Sequence, residues 1–230
     1  MEQILLTERH EQLLYETALF KDISLNIKKT LLDKLDYTVY SLRKGEIVAR
    51  QNSECRNLFV LLEGQLEVDI IDALGNEIFI EYIIAPRAYA TPHLFKKDTT
   101  LPATFTVIED GVLFTATKDS VFKLISENPD LLKSFLSVSG NCNKCTVLRL
   151  RALSYKNVRG RFIAYLFEQK TEENNVIEIE HNQVQLAGYL CVTRPALTKE
   201  INKMVKEGLI SMKGKVVHLL NIPQLKKSLM

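Results

Sequence analysis

Apolar positions recur at helical spacing from about Glu8 to Leu35, and Asn26 stands where it can cap a helix over 27–35. From Tyr37 to Thr117 the period shifts toward two, in short runs rich in Val, Ile, Leu, Phe and Tyr at 47–50, 58–62, 66–71, 78–83, 103–108 and 112–115. Lys44-Gly45, Glu63-Gly64, Gly75-Asn76 and Asp110-Gly111 separate these runs as turn signals. Many short strands joined by tight turns predict an antiparallel sandwich or barrel of about eight strands. Helical spacing returns at Lys118–Glu127. A longer helix begins after Asn128, with Pro129 in its first turn and Asp130 favourably placed against the helix dipole.

The longer helix is expected to reach about Leu153. Leu132, Leu136, Ser139, Asn143, Thr146, Leu150 and Leu153 alternate at spacings of four and three, the seam of a heptad that faces a partner helix. Leu131, Phe135, Val138, Cys142 and Cys145 form a neighbouring stripe. One face is therefore expected against the β domain and the other against a second copy of the chain.

The segment 183–210 holds two short helices. The first is patterned by Val184, Leu186, Ala187 and Leu190 and runs into a tight connection at Cys191-Val192. The second opens at Thr193, a good N-cap, carries Pro195 in its first turn and stops at Gly208. Leu197, Ile201, Met204 and Val205 lie on one side; Pro195, Ala196, Lys199, Lys203 and Lys206 lie on the other. An apolar back and a cationic front suit an element laid in a DNA major groove. A solvated lysine face would share the pattern.

Charge favours the first of these readings. From His181 to Met230 there are eight Lys and Arg against two Asp and Glu, a net of +6 on a chain whose total is +2, so residues 1–180 carry −4. Positive charge concentrated in a terminal segment is the footprint of a phosphate-backbone binder. No apolar run approaches the ~18 residues of a membrane span, and the N-terminus lacks the pattern of a signal peptide. The four cysteines read as reduced thiols of a cytoplasmic protein.

Three stretches, SLRKGEIVARQNSECRNLFVLLEGQLEV (41–68), NVRGRFIAYLF (157–167) and LAGYLCVTRPALTKEINKMVKEGLI (186–210), carry a resemblance to a known family. Together with the order of parts, they resemble the cyclic-AMP receptor protein and fumarate–nitrate reductase regulator (Crp/Fnr) family of bacterial transcription regulators. The resemblance implies an α+β chain with an N-terminal antiparallel β-roll of the cyclic-nucleotide-binding, jelly-roll kind. A long dimerisation helix and a C-terminal winged helix-turn-helix follow. The expected divisions are residues 1–128, 129–153 and 154–230, with the wing at 209–219 around Gly214. The partners implied are double-stranded DNA, a second copy of the chain and RNA polymerase.

Transferred position by position, the family pattern makes Arg194 the reader of a guanine through its two-pronged guanidinium. Pro195 stands where several members carry an acidic base reader. Lys199 supplies the basic residue expected further along. Thr193 and Gln183 are candidate phosphate contacts, as are Lys203 and Lys206.

The sensor departs from the family. Members that bind a cyclic nucleotide resemble one another in a cassette with Gly-Glu near its start and Arg-Ser/Thr-Ala at its end. Here Ala90 and Thr91 replace Gly-Glu, and Leu101 and Pro102 precede Ala103 in place of Arg-Ser/Thr. The phosphate loses its cation, the ribose loses its carboxylate, and Pro102 removes an N–H donor. Each lost charged contact costs on the order of 2–5 kcal/mol, against about −8 kcal/mol for a micromolar ligand. Cyclic AMP is therefore not the expected effector; another small molecule, or none, is. Thr146 falls where members offer a hydroxyl to the base. Lys96, Lys97 and Arg87 are the nearby cations, and all three read as an exposed cationic hairpin tip.

Cys142 and Cys145 lie one helical turn apart, a spacing open to metal binding or oxidation, although packing as small apolar groups is the commoner use. The histidines are scattered, and no catalytic constellation, cofactor motif or metal-ligand spacing emerges, so an enzyme is not expected. A second reading, a small-molecule-binding signalling module whose basic tail does not read DNA, differs at one point. Such a module has no use for Arg194 and Lys199 in a groove-reading geometry.

Overall fold

The computed structural model describes the chain apart from residues 76, 171–173, 180 and 230, and apart from the side chains of residues 25, 142–149, 151–152 and 185. It divides into two compact units, Met1–Asn143 and Lys144–Met230. The first begins with strand β1 (Glu2–Ile4) and helices α1 (Glu8–Glu16) and α2 (Leu25–Lys34). The helical region expected over 8–35, with a capped stretch at its end, is thus two helices. Thr17 ends the first by turning to an extended backbone while its buried hydroxyl donates to the Leu14 carbonyl at 2.7 Å. Ser24, not Asn26, caps the second, its hydroxyl accepting from the Ile27 N–H.

Strands β2 (Tyr37–Leu42), β3 (Ile47–Ala49), β4 (Asn57–Ile71), β5 (Glu77–Ile84), β6 (Arg87–Tyr89) and β7 (Thr104–Thr117) follow, with the short helix α3 (Thr91–Leu94) between the last two. All pairings are antiparallel, in the order β1-β2-β7-β4-β5, with β3 on β7 and β6 on β4. Among the described residues, 37–117 hold six strands rather than about eight, because two of the supposed turns lie inside strands. Glu63-Gly64 belongs to β4 and Asp110-Gly111 to β7, where the register between the two strands shifts. Gly64 has φ +87°, and a Cβ there would sit 2.6 Å from the Asp110 carbonyl oxygen and 2.7 Å from that of Glu109. A Cβ on Gly111 would overlap the Glu63 carbonyl. Each glycine makes room for the opposing backbone.

Helix α4 (Lys118–Glu127) begins and ends where the pattern placed it, and α5 runs Pro129–Leu153. Val121, Leu124 and Ile125 of α4 and Leu131 and Phe135 of α5 join the core built on Leu61, Leu66 and Phe114, with Val138 against it. That much of the inner stripe packs as expected; the side chains of Cys142 and Cys145 lie outside the described residues. On the other seam Leu136 is 61% and Leu150 63% exposed, and Leu132 is also exposed.

The second unit comprises α6 (Val158–Gln169), β8 (Val176–Glu178), α7 (Gln183–Tyr189), α8 (Arg194–Lys206), β9 (Ile210–Lys213), β10 (Val216–Leu219) and α9 (Ile222–Lys227). Strands β9 and β10 form the expected wing, joined at Gly214 with φ +61°. Strand β8, too short to show a period, pairs with the free side of β10. Phe162 and Leu166 of α6, Leu186 and Leu190 of α7, and Leu197, Ile201 and Met204 of α8 share a core with Val217 and Leu225.

Candidate nucleic-acid interface

Helix α7 ends in a turn that three backbone features fix. Leu190 N–H donates to Leu186 O at 3.0 Å, Val192 N–H reaches back to Ala187 O at 2.9 Å, and Cys191 takes a left-handed conformation at φ +50°. Helix α8 then opens on Thr193, whose backbone is extended and whose hydroxyl accepts the Ala196 N–H at 3.4 Å. Pro195 occupies the first turn, where an N–H would have no intrahelical acceptor. At the far end Gly208 adopts φ +69° and Leu209 N–H caps the Met204 carbonyl at 3.0 Å.

The resulting helix is two-sided. Leu197, Ile201 and Met204 are buried, while Arg194, Pro195, Lys199, Lys203 and Lys206 are exposed. Arg194 sits at the first helical position and is exposed, although its angular phase falls near the apolar face. Thr193 is exposed beside it. Gln183, at the head of α7, is exposed, and its side-chain oxygen accepts from the Thr198 hydroxyl at 3.5 Å. None of Arg194, Lys199, Lys203 and Lys206 enters an ion pair among the described residues.

Two positions differ from the expected pattern. Val205 is 40% exposed, because it lies one step beyond the 197–201–204 stripe. Val184 is 54% exposed, because it precedes the buried face of α7.

Two arginines of α6 hold this arrangement, and neither stood out in the sequence. Arg161 donates through Nε to Tyr155 O at 3.0 Å and through one Nη to Leu190 O at 3.0 Å and Cys191 O at 3.1 Å. It thereby satisfies the carbonyls that the end of α7 leaves free. Arg159 reaches α8 twice, through Nε to Glu200 at 2.5 Å and through both Nη atoms to Glu207 at 2.8 and 3.0 Å. The hydrogen bonds to Glu207, then Glu200, push the guanidinium pKa up, and the same contact holds the Glu207 carboxyl below its usual range. The sequence signal was faint: two arginines flanking Gly160, where a Cβ would sit tightly, 3.0 Å from Tyr155 Cβ and 3.2 Å from the capping Asn157 oxygen.

In the first unit, the cassette residues line up along α3 and the segment before β7. Ala90 is left-handed at φ +55°, and Thr91 opens α3 with its buried hydroxyl lacking a hydrogen-bond partner among the described residues. Leu101 is 1% exposed and lies in the hydrophobic core. Its N–H donates to Ser53 O at 2.9 Å and its carbonyl accepts from Asn52 N–H at 2.8 Å, so its backbone is spent on strand-like pairing. Pro102 is exposed. Lys96 and Lys97 are exposed in bends after α3, not at a hairpin tip, and Arg87 is ion-paired with Glu81 at 3.0 Å. Thr146, like Cys142 and Cys145, has its side chain outside the described residues. Among the described residues no group of three His, Cys, Asp or Glu could hold a metal, and no helix is long and apolar enough to cross a membrane.

Comparison with known proteins accords with both halves. Residues 39–128 match the model of the cyclic nucleotide-binding domain, and residues 160–228 match that of the Crp-like helix-turn-helix domain. The chain thus carries the two domains that Crp/Fnr-family regulators combine, a cyclic nucleotide-binding domain and a Crp-like helix-turn-helix. Members of this family are transcription regulators.

Solved structures share the fold along most of its length. A CooA variant from Carboxydothermus hydrogenoformans is 18% identical, with 93% of this chain and 100% of that chain covered and a TM-score of 0.66. The catabolite activator protein of Thermus thermophilus is 15% identical over 92% and 98%, with a TM-score of 0.53. DNR from Pseudomonas aeruginosa is 22% identical over 97% and 99%, with a TM-score of 0.50. At such identities the likeness is one of fold. A search of curated proteins returned no match.

Proposed function

We propose that this protein is a homodimeric, cytoplasmic regulator of the Crp/Fnr family that reads a specific DNA sequence with α8 and engages RNA polymerase at the promoters it controls. The observation that carries the reading is the two-sided α8. Its buried Leu197, Ile201 and Met204 fix the helix to its own core, and its Arg194, Lys199, Lys203 and Lys206 are exposed and make no salt bridge within 4 Å among the described residues.

Arg194 at the helix head is the guanine reader, with bidentate donation to O6 and N7. Lys199 reaches the neighbouring base edges. Thr193 and Gln183 anchor the phosphate backbone, and Lys203 and Lys206 add sequence-independent attraction. Residues 1–128 form the sensor, 129–153 the dimerisation helix and 154–230 the DNA-binding domain. The exposed leucine seam at Leu132, Leu136 and Leu150 is the surface on which a second copy packs.

The sensor has lost cyclic-nucleotide binding. A core leucine stands where the phosphate would need a guanidinium, and a buried threonine stands where the ribose would need a carboxylate. The effector is another small molecule or none.

Random-site selection with the full chain tests the central reading. It should return a two-fold symmetric sequence with half-sites centred ~34 Å apart. Selection of only asymmetric or unrelated sequences would sink it.

A further inference from the structure

The carboxylates of α8 are as informative as its cations. Glu200 and Glu207 are the two acidic groups between His181 and Met230, and both lie on or at the end of the helix that presents the basic face. Unpaired, each would repel a phosphate backbone and weaken the local positive field. Both are instead turned toward α6 and engaged by a single guanidinium. The Arg159 side chain is 21% exposed, and Glu200 and Glu207 are 22% and 34% exposed. The two carboxylates are seven residues apart, about two helical turns. One arginine therefore grips α8 at its middle and at its C-terminal end, and the contact to Glu207 is two-pronged.

We propose that Arg159 is the positioning residue of the recognition helix. It fixes the tilt of α8 against α6 and keeps the two α8 carboxylates away from DNA, without itself touching DNA. The inference rests on the DNA-reading function proposed above. The planar, forked guanidinium suits the task, because it offers five donors in a fixed plane and can serve two carboxylates at once. A lysine ammonium, a point charge with three donors, has no planar fork with which to make the two-pronged contact to Glu207. Among the described residues Arg161, by contrast, bonds only to backbone carbonyls, so the two arginines divide the work: one holds the turn, the other holds the helix.

The experiment compares Arg159→Gln and Arg159→Lys with the unchanged full chain. Binding is measured to the selected site and to unrelated DNA over a range of salt, and amide hydrogen exchange is measured in the free protein. The glutamine variant should lose about tenfold in its preference for the selected site, with the lysine variant in between. The slope of log affinity against log salt should stay within about 0.3 of the original, since a guanidinium already committed to carboxylates releases no DNA counterions. Exchange should quicken over residues 200–207 and stay unchanged in α6.

A fall in the salt slope by about one unit would make Arg159 a phosphate contact and overturn the proposal. Unchanged preference and unchanged exchange would overturn it as well. If the unchanged protein prefers no DNA sequence, the DNA-reading function fails, and the exchange measurement alone decides whether Arg159 fixes α8.

Discussion

Gly45 and Gly64 provide a matched pair in which one variable differs. Both have left-handed backbones, at φ +88° and +87°. A Cβ on Gly45 would meet nothing within 4 Å, whereas on Gly64 it would meet the carbonyl oxygens of Asp110 and Glu109 at 2.6 and 2.7 Å. Replacing either by alanine incurs the left-handed penalty of an L-residue, about 1–2 kcal/mol. The stiffer unfolded chain offsets roughly 0.4–1 kcal/mol of that. Gly45→Ala should therefore cost about 1 kcal/mol. Gly64→Ala adds steric overlap, and the atoms in the way are strand backbone, held by pairing of β4 with β7 on both sides of the register shift. Such overpacking costs about 1–3 kcal/mol more. A difference of about 2 kcal/mol between the variants corresponds to about 4–8 °C in Tm for a chain of this size. Thermal unfolding of the two full-length variants, followed by far-ultraviolet circular dichroism, measures it directly. Equal losses would show that β7 gives way freely and that Gly64 is retained for its φ alone.

Other outcomes follow from the same structure. Arg194→Ala should lose about 1–3 kcal/mol at the preferred site and relax discrimination at one base pair, whereas Lys203→Ala should weaken all sequences alike and lower the salt slope by about one; gel-shift titrations at several salt concentrations separate them, and identical behaviour would refute Arg194 as a reader. Cyclic AMP and cyclic GMP at millimolar concentration should give no saturable heat in calorimetry and no rise in Tm; a ligand at one hundred times its Kd would add about 2.7 kcal/mol, and a micromolar isotherm would mean that another cation has taken over the phosphate. Burial, then the neighbouring Glu67 and Glu77, push the Asp69 carboxyl up to about 6. The folded state then binds more protons than the unfolded one between about pH 4 and 6, so this group makes stability fall as pH rises through that window. Asp69→Asn should flatten that part of the urea-midpoint profile, and an unaltered slope would exclude Asp69 as its source.

What the sequence determined by itself is what a few neighbouring residues decide. The Thr193 cap, Pro195 in the first turn of α8, the Gly208 stop and the limits of α4 are set by backbone preferences acting over three or four residues. They were legible without a structure. The buried stripe of α8 followed from periodicity, except at its margin, where Val205 proved exposed because a period does not say how wide the packed face is.

The tertiary structure decided whatever depends on residues distant in the chain. Glu63-Gly64 and Asp110-Gly111 look like turns locally, yet they are continuous strand, because each glycine answers the close approach of a backbone some 46 residues away. Strand β8 exists because β10 offers it a partner. Arg159 meets carboxylates 41 and 48 positions on, and Arg161 meets the end of α7. No local pattern could select these arginines from the 30 Lys and Arg of the chain. Leu101 could be read as a missing cation from its alignment, but only packing determined that its side chain belongs to the core and its backbone to the pairing with Asn52 and Ser53. Local chemistry set the elements; the fold chose which of their groups meet.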